Sequence, residues 1–319
     1  MVNHSPLGCL GILLLSALFL ISCQTFEAIE GAVEEPPRNI ETIADEYLAA
    51  MLERYPEEAT NYSIKGARHD RLFDNSLDSL TNWQKREDQW LAELAVIGEP
   101  KDIGSRDWVT YGFLFEEFTA AQASRICRKE LWETSTTTAW HVELPFIFDI
   151  QPLETEDLKA QALIRLGEVD QFIDTEITNL RTGLEMGYSS PRLTVEKVPE
   201  EVRALLEQNN PFLGMGKRAK DETFDNAVRH LFNKEIAPAI ERFADFIEHE
   251  YLHQARSEIA LSYNLNGAEC YPTLVRSFAT IQPSADEIHE LGLTQMAKIR
   301  AEMQQILAEH YDNEKIETF

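Results

Sequence analysis

Hydrophobic residues recur at helical spacing along most of this chain, and alternating strand patterns are nearly absent. The first predicted helix ends before Pro56, and its apolar face consists of Ile40, Ile43, Tyr47, Leu48 and Met51. A second predicted helix covers Leu77–Ile97 and places Trp83 and Trp90 on one face, seven residues apart. The pattern predicts an all-α fold of packed antiparallel helices.

Later segments continue this helical pattern. It extends from Asp107 to Leu131, and again over a long amphipathic stretch, Thr155–Met186, that ends at Gly187. A capping box of Ser284 and Glu287 opens a last helix that runs toward His310. The residues predicted to face the core are Phe113, Phe115 and Phe118 in the earlier segment, and Ile288, Leu291, Met296, Ile299, Met303 and Ile306 in the last helix. The segments predicted to be irregular are Glu133–Leu153, Gly187–Pro199 and Asn209–Lys217.

The N-terminus carries the signature of a secreted protein. The run Leu7–Ile21 is uncharged and shorter than the roughly 20 apolar residues that cross a bilayer, so it is typical of a signal peptide. It closes with Leu20-Ile21-Ser22-Cys23, which resembles a bacterial lipobox in which the thiol of Cys23 is acylated. The alternatives are an ordinary cleaved signal and an apolar start to the first helix, and the stretch before the apolar run has no Lys or Arg.

The predicted organisation is therefore a lipoprotein signal peptide over residues 1–23, an acidic flexible tether over 24–37, and a helical domain over 38–319. Cys23 is the predicted lipidation site, and the lipid anchor is the predicted contact with the membrane. Gln24, rather than Asp, follows the cysteine and resembles outer-membrane sorting. We expect a protein anchored in the cell envelope, at the outer membrane and facing the periplasm.

Charge limits the partners. The chain has 55 acidic and 29 basic residues, all of them after Ser22, for a formal net charge of −26. Such a balance disfavours nucleic-acid binding, because a phosphate backbone requires a basic patch. It also disfavours electrostatic attachment to anionic lipid. The 44% of hydrophobic residues suffices for a substantial core.

Two of the four cysteines lie in the helical region. Cys9 is inside the signal and Cys23 is the candidate anchor, which leaves Cys127 and Cys270. In an oxidising compartment these two could pair. Two cysteines so far apart are more often buried as small hydrophobic residues.

The sharpest chemical motif is His249-Glu250-Tyr251-Leu252-His253. In zinc peptidases this spacing lets both imidazoles bind one Zn²⁺ while the glutamate acts as general base. That alternative makes His249 and His253 metal ligands and Glu250 catalytic, with Glu287 or Glu290 as possible third ligands. However, the buried stripe of this helix is expected at Ile236, Ile240, Phe243 and Ile247. Both histidines lie about 110–150° from it. The preferred interpretation is two surface histidines, with no catalytic residue and no metal or cofactor in this chain.

Other motifs are weaker. Trp140, His141 and Glu143 fall in a segment expected to be irregular and could line a cleft, but a packed Trp beside an exposed His is the preferred interpretation. Residues 214–217, Gly-Met-Gly-Lys, lack the strand and the Ser/Thr of a phosphate-binding loop and are expected to form a turn. His289 is expected to be exposed in the first turn of the last helix.

Three stretches resemble the N-terminal half of a bacterial family labelled domain of unknown function 885. The first is Tyr47–Leu77, with residues 56–60 (PEEAT) and 70–72 (DRL). The second is Gly187–Leu193 followed by Val195–Val198, and the third runs from Ile236 through Tyr251 and Arg256 to Asn266–Glu269, Tyr271 and Glu287–Gly292.

This resemblance implies a helical fold similar to zinc peptidases of the gluzincin type, often secreted or lipidated. The family's zinc motif, His-Glu-x-x-Pro-Gly-His-His, and its Glu-Gly-Trp element do not occur here. The chain is therefore expected to be the N-terminal part of a larger metallopeptidase-like fold, without catalytic activity on its own. Zn²⁺ is expected for the complete family domain, and a peptide substrate if the C-terminal half is present. The remaining alternative is an anchored helical binding or scaffold module.

Overall fold

The computed structural model describes residues 38–310, and they form an all-α structure, as the sequence predicts. The helices are α1 Ile40–Arg54, α2 Pro56–Asn61, α3 Leu77–Ile97, α4 Arg106–Ser124, α5 Trp140–Asp149, α6 Glu156–Leu166, α7 Val169–Met186, α8 Arg192–Val195, α9 Val198–Ala204, α10 Pro211–Arg218, α11 Glu222–Leu231, α12 Ala237–Phe246, α13 Leu252–Gln254, α14 Gly267–Ala279 and α15 Ala285–His310. Short 3₁₀ turns span Arg125–Cys127, Lys129–Leu131 and Leu261–Tyr263, and π turns span Phe232–Ile236 and Ile247–Tyr251. Between residues 38 and 310 there is no strand, only an isolated bridge between Pro191 and Arg256.

Local capping sets several helix starts. The side chains of Ser76 and Ser105 each accept a hydrogen bond from the backbone N–H three residues on, which satisfies one otherwise unpaired donor. Ser284 and Glu287 form the predicted capping box, with the Ser284 N–H donating to Glu287 Oε2 over 2.8 Å and the Glu287 N–H donating to Ser284 Oγ over 3.2 Å. The predicted bounds Leu77–Ile97 are confirmed, and α1 ends before Pro56 as expected.

The buried side chains form two hydrophobic clusters. The first joins α1, α3 and α4, with Trp90 stacked on Phe118 at 5.6 Å between ring centroids. The second and larger cluster lies among α5, α6, α7 and α9–α12. In α7, Gly183 meets the backbone of Leu131 so closely that any Cβ there would overlap the Leu131 carbonyl oxygen. This approach fixes the 3₁₀ turn Lys129–Leu131 against α7.

A disulfide joins Cys127, after α4, to Cys270 in α14. Both residues are buried, and the expectation that they would be separate small hydrophobic residues is wrong. The reason is tertiary: α14 packs along α4, which brings together two sulfurs 143 residues apart. Arg276 reinforces this contact with two 2.7 Å hydrogen bonds to the Glu116 carboxylate.

Several sequence-based boundaries are wrong. The stretch Thr155–Met186 is two helices, α6 and α7, because the chain turns at Gly167-Glu168, where the Glu168 carboxylate accepts the N–H of Leu72 over 2.7 Å. The supposedly irregular segment Glu133–Leu153 contains α5, and residues 214–217 belong to α10 rather than to a turn.

Two predictions of burial are also wrong. Phe113 is exposed, whereas Phe118 is buried. On α15 the six residues predicted to face inward are 36–59% exposed, and within Ala285–His310 only Leu307 is buried. The helical periodicity was correct, but no other helix of residues 38–310 packs along this face.

The predicted signal peptide, the lipidation site Cys23 and the acidic tether 24–37 lie outside the described residues, and they stay predictions. Among the described helices, none is both long and apolar enough to cross a membrane.

The disulfide generates a stability prediction. Replacing both cysteines, Cys127→Ala with Cys270→Ala, should lower the free energy of unfolding by about 2–4 kcal/mol, because the bridge restricts a long loop in the unfolded chain. Chemical denaturation of both proteins measures the difference. Unmodified protein in reductant should lose a similar amount, and equal stability of the oxidised protein and the double variant would contradict the pairing.

Candidate functional site

The residues of the His-Glu-x-x-His motif do not share one regular helical turn. His249 and Glu250 lie in the π turn Ile247–Tyr251, and His253 lies beyond it in α13. A metal site built on this motif would therefore span the junction between the π turn and α13. Both histidines are exposed, whereas the stripe expected to be buried, Ile236, Ile240, Phe243 and Ile247, is buried.

The groups of this motif are engaged elsewhere. Glu250 forms two hydrogen bonds with Arg181, of 3.0 and 2.9 Å, and this ion pair holds the pKa of the Glu250 carboxyl below its usual range. A general base of a zinc peptidase needs the opposite adjustment. His249 Nδ1 lies 3.0 Å from the Asp245 carbonyl oxygen.

His249 does lie near other potential ligands. Its ring nitrogen and carboxylate oxygens of Asp245 and Glu248 are within 4.8 Å of one another, but all three residues are exposed. Arg203 binds both carboxylates over 2.8 Å, so a cation would have to displace a guanidinium. The motif and its surroundings do not fit a zinc-peptidase ligand set.

Two of the stretches that resemble the bacterial family contact each other. The Ser190 N–H donates to the Tyr251 hydroxyl over 2.8 Å, and that hydroxyl donates to the Trp132 carbonyl over 3.2 Å. Arg256 Nε donates to the Ser189 carbonyl over 2.9 Å, while the Arg192 N–H donates to the Arg256 carbonyl over 2.7 Å. These residues therefore hold the architecture together, and their polar groups are used within the protein.

His141 is buried, so the expectation of an exposed His beside a packed Trp140 is wrong. Both residues belong to the first turn of α5, and Trp140 packs on Phe243 in the larger cluster. Burial lowers the pKa of His141 to about 4, so the ring is neutral at pH 7. Its nearest carboxylate is that of Glu201, at 3.6 Å.

One cleft combines two adjoining cavities that share Arg54, Phe73, Asn75 and Phe172. The larger, of about 650 Å³, lies between α1, α3, the segment 71–75 and the start of α7; we call it the arginine cavity because Arg54, Arg71 and Arg86 line it. The smaller, of about 350 Å³, lies beside α5 and α7; we call it the glutamate cavity because Glu130, Glu133, Glu143 and Glu176 line it.

Glu176 is the most perturbed acid of the glutamate cavity. Burial raises its pKa to about 7, and the charges of Glu143 and Glu133 act in the same direction. Asn75 Nδ2 donates to Glu176 Oε2 over 3.4 Å, and Asn75 is itself held by a 2.8 Å bond from Asn179 Nδ2 to its carbonyl. Burial also raises the pKa of Glu143. A carboxyl that titrates near neutrality inside a cleft marks a candidate functional site.

One wall of the cleft rests on a buried arginine. Arg165, in α6, donates through Nε to the Arg71 carbonyl over 2.9 Å and through Nη1 to Thr60 Oγ1 and Gln151 Oε1 over 2.8 and 2.7 Å. Burial lowers its pKa to about 10, which leaves it charged at pH 7. Glu57 accepts the Phe73 N–H over 2.8 Å. Together these bonds fix the segment that separates the two cavities.

Trp140 and Glu143, which the sequence offers as possible cleft residues, line the glutamate cavity, but the other lining residues were not predicted. Glu176 follows Ile173 on the amphipathic helix α7, and its position beside the buried stripe was the available signal. Arg54 stands in the last turn of α1, where a basic residue is ordinary. Which side chains meet across α1, α5 and α7 depends on tertiary contacts that no local pattern encodes.

Comparison with known proteins adds a family and a fold. The model of a family described as "Bacterial protein of unknown function (DUF885)" matches residues 56–319. A search of curated proteins found no match. A solved structure described as "the putative lipoprotein from Colwellia psychrerythraea" is similar with a TM-score of 0.73 and 17% sequence identity, over 86% of this chain. The match covers 52% of that protein, so this chain spans about half its length.

Glu176 provides a prediction about pH. The pKa of Glu176 is raised in the folded protein, so the protonated side chain contributes to the free energy of unfolding. This contribution is complete below the unfolded-state pKa of about 4.5 and is lost as the pH rises to about 7. As the pH is raised from 4.5 to 8, the free energy of unfolding of Glu176→Gln should therefore increase relative to that of the unmodified protein, by up to about 3 kcal/mol. Denaturation at both pH values measures this. Glu185→Gln, on the exposed face of α7, controls for removing one charge, and an equal pH response in the two variants would refute the assignment.

Proposed function

Because this chain belongs to the DUF885 family of bacterial proteins, we propose that it is an envelope lipoprotein carrying the N-terminal half of a helical, zinc-peptidase-like fold. In this proposal the described domain forms one wall of a substrate channel. It has no catalytic activity on its own, and the metal of the complete fold is Zn²⁺ held by residues outside this chain.

The exposed apolar face of α15 carries the proposal. Six large hydrophobic residues at helical spacing are directed into solvent there: Ile288, Leu291, Met296, Ile299, Met303 and Ile306. An exposed patch of this kind marks a surface that another structure covers. Because the similar solved structure is about twice as long as the matched part, the occupant we propose is the remaining helical half of the same fold.

Anchoring at Cys23 is the second part of the proposal. It is supported by the lipobox-like residues 20–23, by the description of the similar structure as a lipoprotein, and by the disulfide, since such bonds persist in oxidising compartments. We propose attachment to the outer membrane with the domain facing the periplasm. The tether of residues 24–37 would separate the domain from the lipid.

The cleft favours a second candidate, an anchored helical binding or scaffold module. The adjoining arginine and glutamate cavities present side chains of both charges within one cleft, which suits ligand binding without catalysis. A self-contained zinc peptidase at His249, Glu250 and His253 is not proposed, since Arg181 pairs with Glu250 and both histidines are exposed.

Acylation at Cys23 can be tested by metabolic labelling with an alkyne analogue of palmitate. The unmodified protein should be labelled and recovered with membranes, whereas Cys23→Ala should lose the label because it lacks the acceptor thiol. Cys9→Ala, inside the same apolar run, should keep the label. Labelling that persists in Cys23→Ala would contradict the proposal.

If α15 is a docking surface, polar substitutions on its apolar face should hardly change the free energy of unfolding of this chain. The triple variant Leu291→Gln, Met296→Gln, Ile299→Gln should unfold within about 0.5 kcal/mol of the unmodified chain, because these side chains are 52–59% exposed in the described domain. It should also bind less of a fluorescent apolar dye. Leu307→Gln, at the buried position of the same helix, should destabilise by more than about 1 kcal/mol.

A triple variant as unstable as Leu307→Gln would show that the apolar face is covered within this chain. The identity of the occupant is tested by the coding sequence after the codon for Phe319. It should encode further helical segments with the Pro-Gly-His-His element, and a stop codon with no such sequence downstream in any frame would refute the proposed second half.

A further inference from the structure

Most arginines of this acidic protein have a carboxylate partner. Of its eighteen arginines, eleven lie within 4.0 Å of a carboxylate oxygen. Within residues 38–310 those without such a pair are Arg54, Arg71, Arg86, Arg165, Arg192, Arg256 and Arg300. Three of these seven line a single cavity, the arginine cavity.

The other internal arginines are explained by the fold. Arg165 and Arg256 donate to several backbone carbonyls, including those of Arg71 and Ser189. Arg192 donates through Nη2 to the Leu252 carbonyl. These hydrogen bonds hold neighbouring backbone segments together. Arg54, Arg71 and Arg86 have no comparable set of acceptors in the described part of the chain, so their donors are available to a ligand.

Arg54 is the central residue of this group. Its guanidinium lies 5.2 Å from the Tyr55 ring centroid and 5.7 Å from that of Trp83, and Nη1 donates to Ser79 Oγ over 2.8 Å. Nε is buried without an acceptor, and Nη2 has none among residues 38–310. The aromatic faces and Ser79 fix the orientation of a cation whose remaining donors are unused.

Three carboxylates share the cavity and restrict its ligand. Two of them are used locally: Glu168 accepts the Leu72 N–H over 2.7 Å and Asp74 accepts the Ser76 N–H over 2.9 Å. Glu53 is exposed at the rim. These charges would repel a phosphate ester or another multiply charged anion, so the cavity suits a single negative charge.

The rest of the lining is suited to a peptide. Amide side chains of Asn75, Asn82 and Gln171 offer donors and acceptors for backbone groups, and Phe73 and Phe172 offer apolar surface. A volume of about 650 Å³ accommodates two or three amino-acid residues.

We infer that the arginine cavity binds the free C-terminal carboxylate of a short peptide, with Arg54 as the charged anchor and Arg71 and Arg86 at the mouth. Charge-assisted hydrogen bonds from a guanidinium are the strongest available for a carboxylate. The inference deepens the proposed function by naming the group recognised in the substrate channel, and its biological meaning rests on that function.

The test compares one tripeptide in two forms, as N-acetylated free acid and as N-acetylated C-terminal amide. Trp83 lines the cavity, so its fluorescence reports binding, and calorimetry confirms it. The free acid should bind the unmodified protein at least about tenfold more tightly than the amide, because only the acid can form the charge-assisted bonds. Arg54→Gln should reduce this preference to less than about twofold.

Arg54→Lys should keep part of the preference, since it retains the charge without the planar fork. Arg106→Gln, which removes an exposed arginine paired with Glu41 at 3.3 Å, serves as the matched control and should bind like the unmodified protein. Denaturation curves establish that each variant is folded, and Arg86→Gln offers a second test at an exposed position, with an expected loss of about two- to threefold.

Equal affinity for acid and amide would overturn the inference, as would an Arg54→Gln variant that keeps the preference. Displacement of the peptide by inorganic phosphate at lower concentrations than by acetate would overturn the assignment to a single carboxylate. These outcomes are independent of acylation at Cys23 and of docking at α15, so failure here is distinguishable from failure of the proposed function.

Discussion

The buried guanidinium of Arg165 is the interaction on which the cleft depends. It is fully enclosed, yet its bonds to Thr60, Gln151 and the Arg71 carbonyl compensate much of the cost of removing a charge from water. Through these bonds the irregular segment between α2 and α3 is tied to α6. Without this tie, the segment carrying Phe73 and Asn75 would lose the fixed position that divides the arginine cavity from the glutamate cavity.

This arrangement explains how charge is distributed in a strongly acidic protein. Exposed arginines are largely paired across helices, as Arg242 is with Asp174 and Arg203 with Asp245, and such pairs contribute little stability individually. In the arginine cavity, by contrast, Arg54, Arg71 and Arg86 form no ion pair within residues 38–310, although Glu53, Asp74 and Glu168 line the same cavity. Burial, and to a lesser extent the charges of Glu143 and Glu133, raises the pKa of Glu176, whereas Arg54 is stabilised by aromatic faces.

Much of the helical structure could be predicted, because it depends on local features. The bounds of α3 follow from its apolar stripe, the Ser76 cap and Gly98, all within a few residues of one another. Periodicity also identified the apolar side of α15, but it cannot tell whether a partner covers that side. The pairing of Cys127 with Cys270, the burial of His141 and the meeting of Arg54 with Trp83 depend on contacts between distant helices. The π turn at Ile247–Tyr251 and the pairing of Arg181 with Glu250 were equally invisible.

The link between α4 and α14 also constrains the order of biosynthesis. Cys127 leaves the ribosome 143 residues before Cys270, an interval of roughly 10–30 s at ordinary elongation rates. During that time the Cys127 thiol lacks its partner, because Cys270 has not been made. The bridge can therefore form only after Cys270 has been made, and a nascent chain halted earlier would retain a free thiol at Cys127.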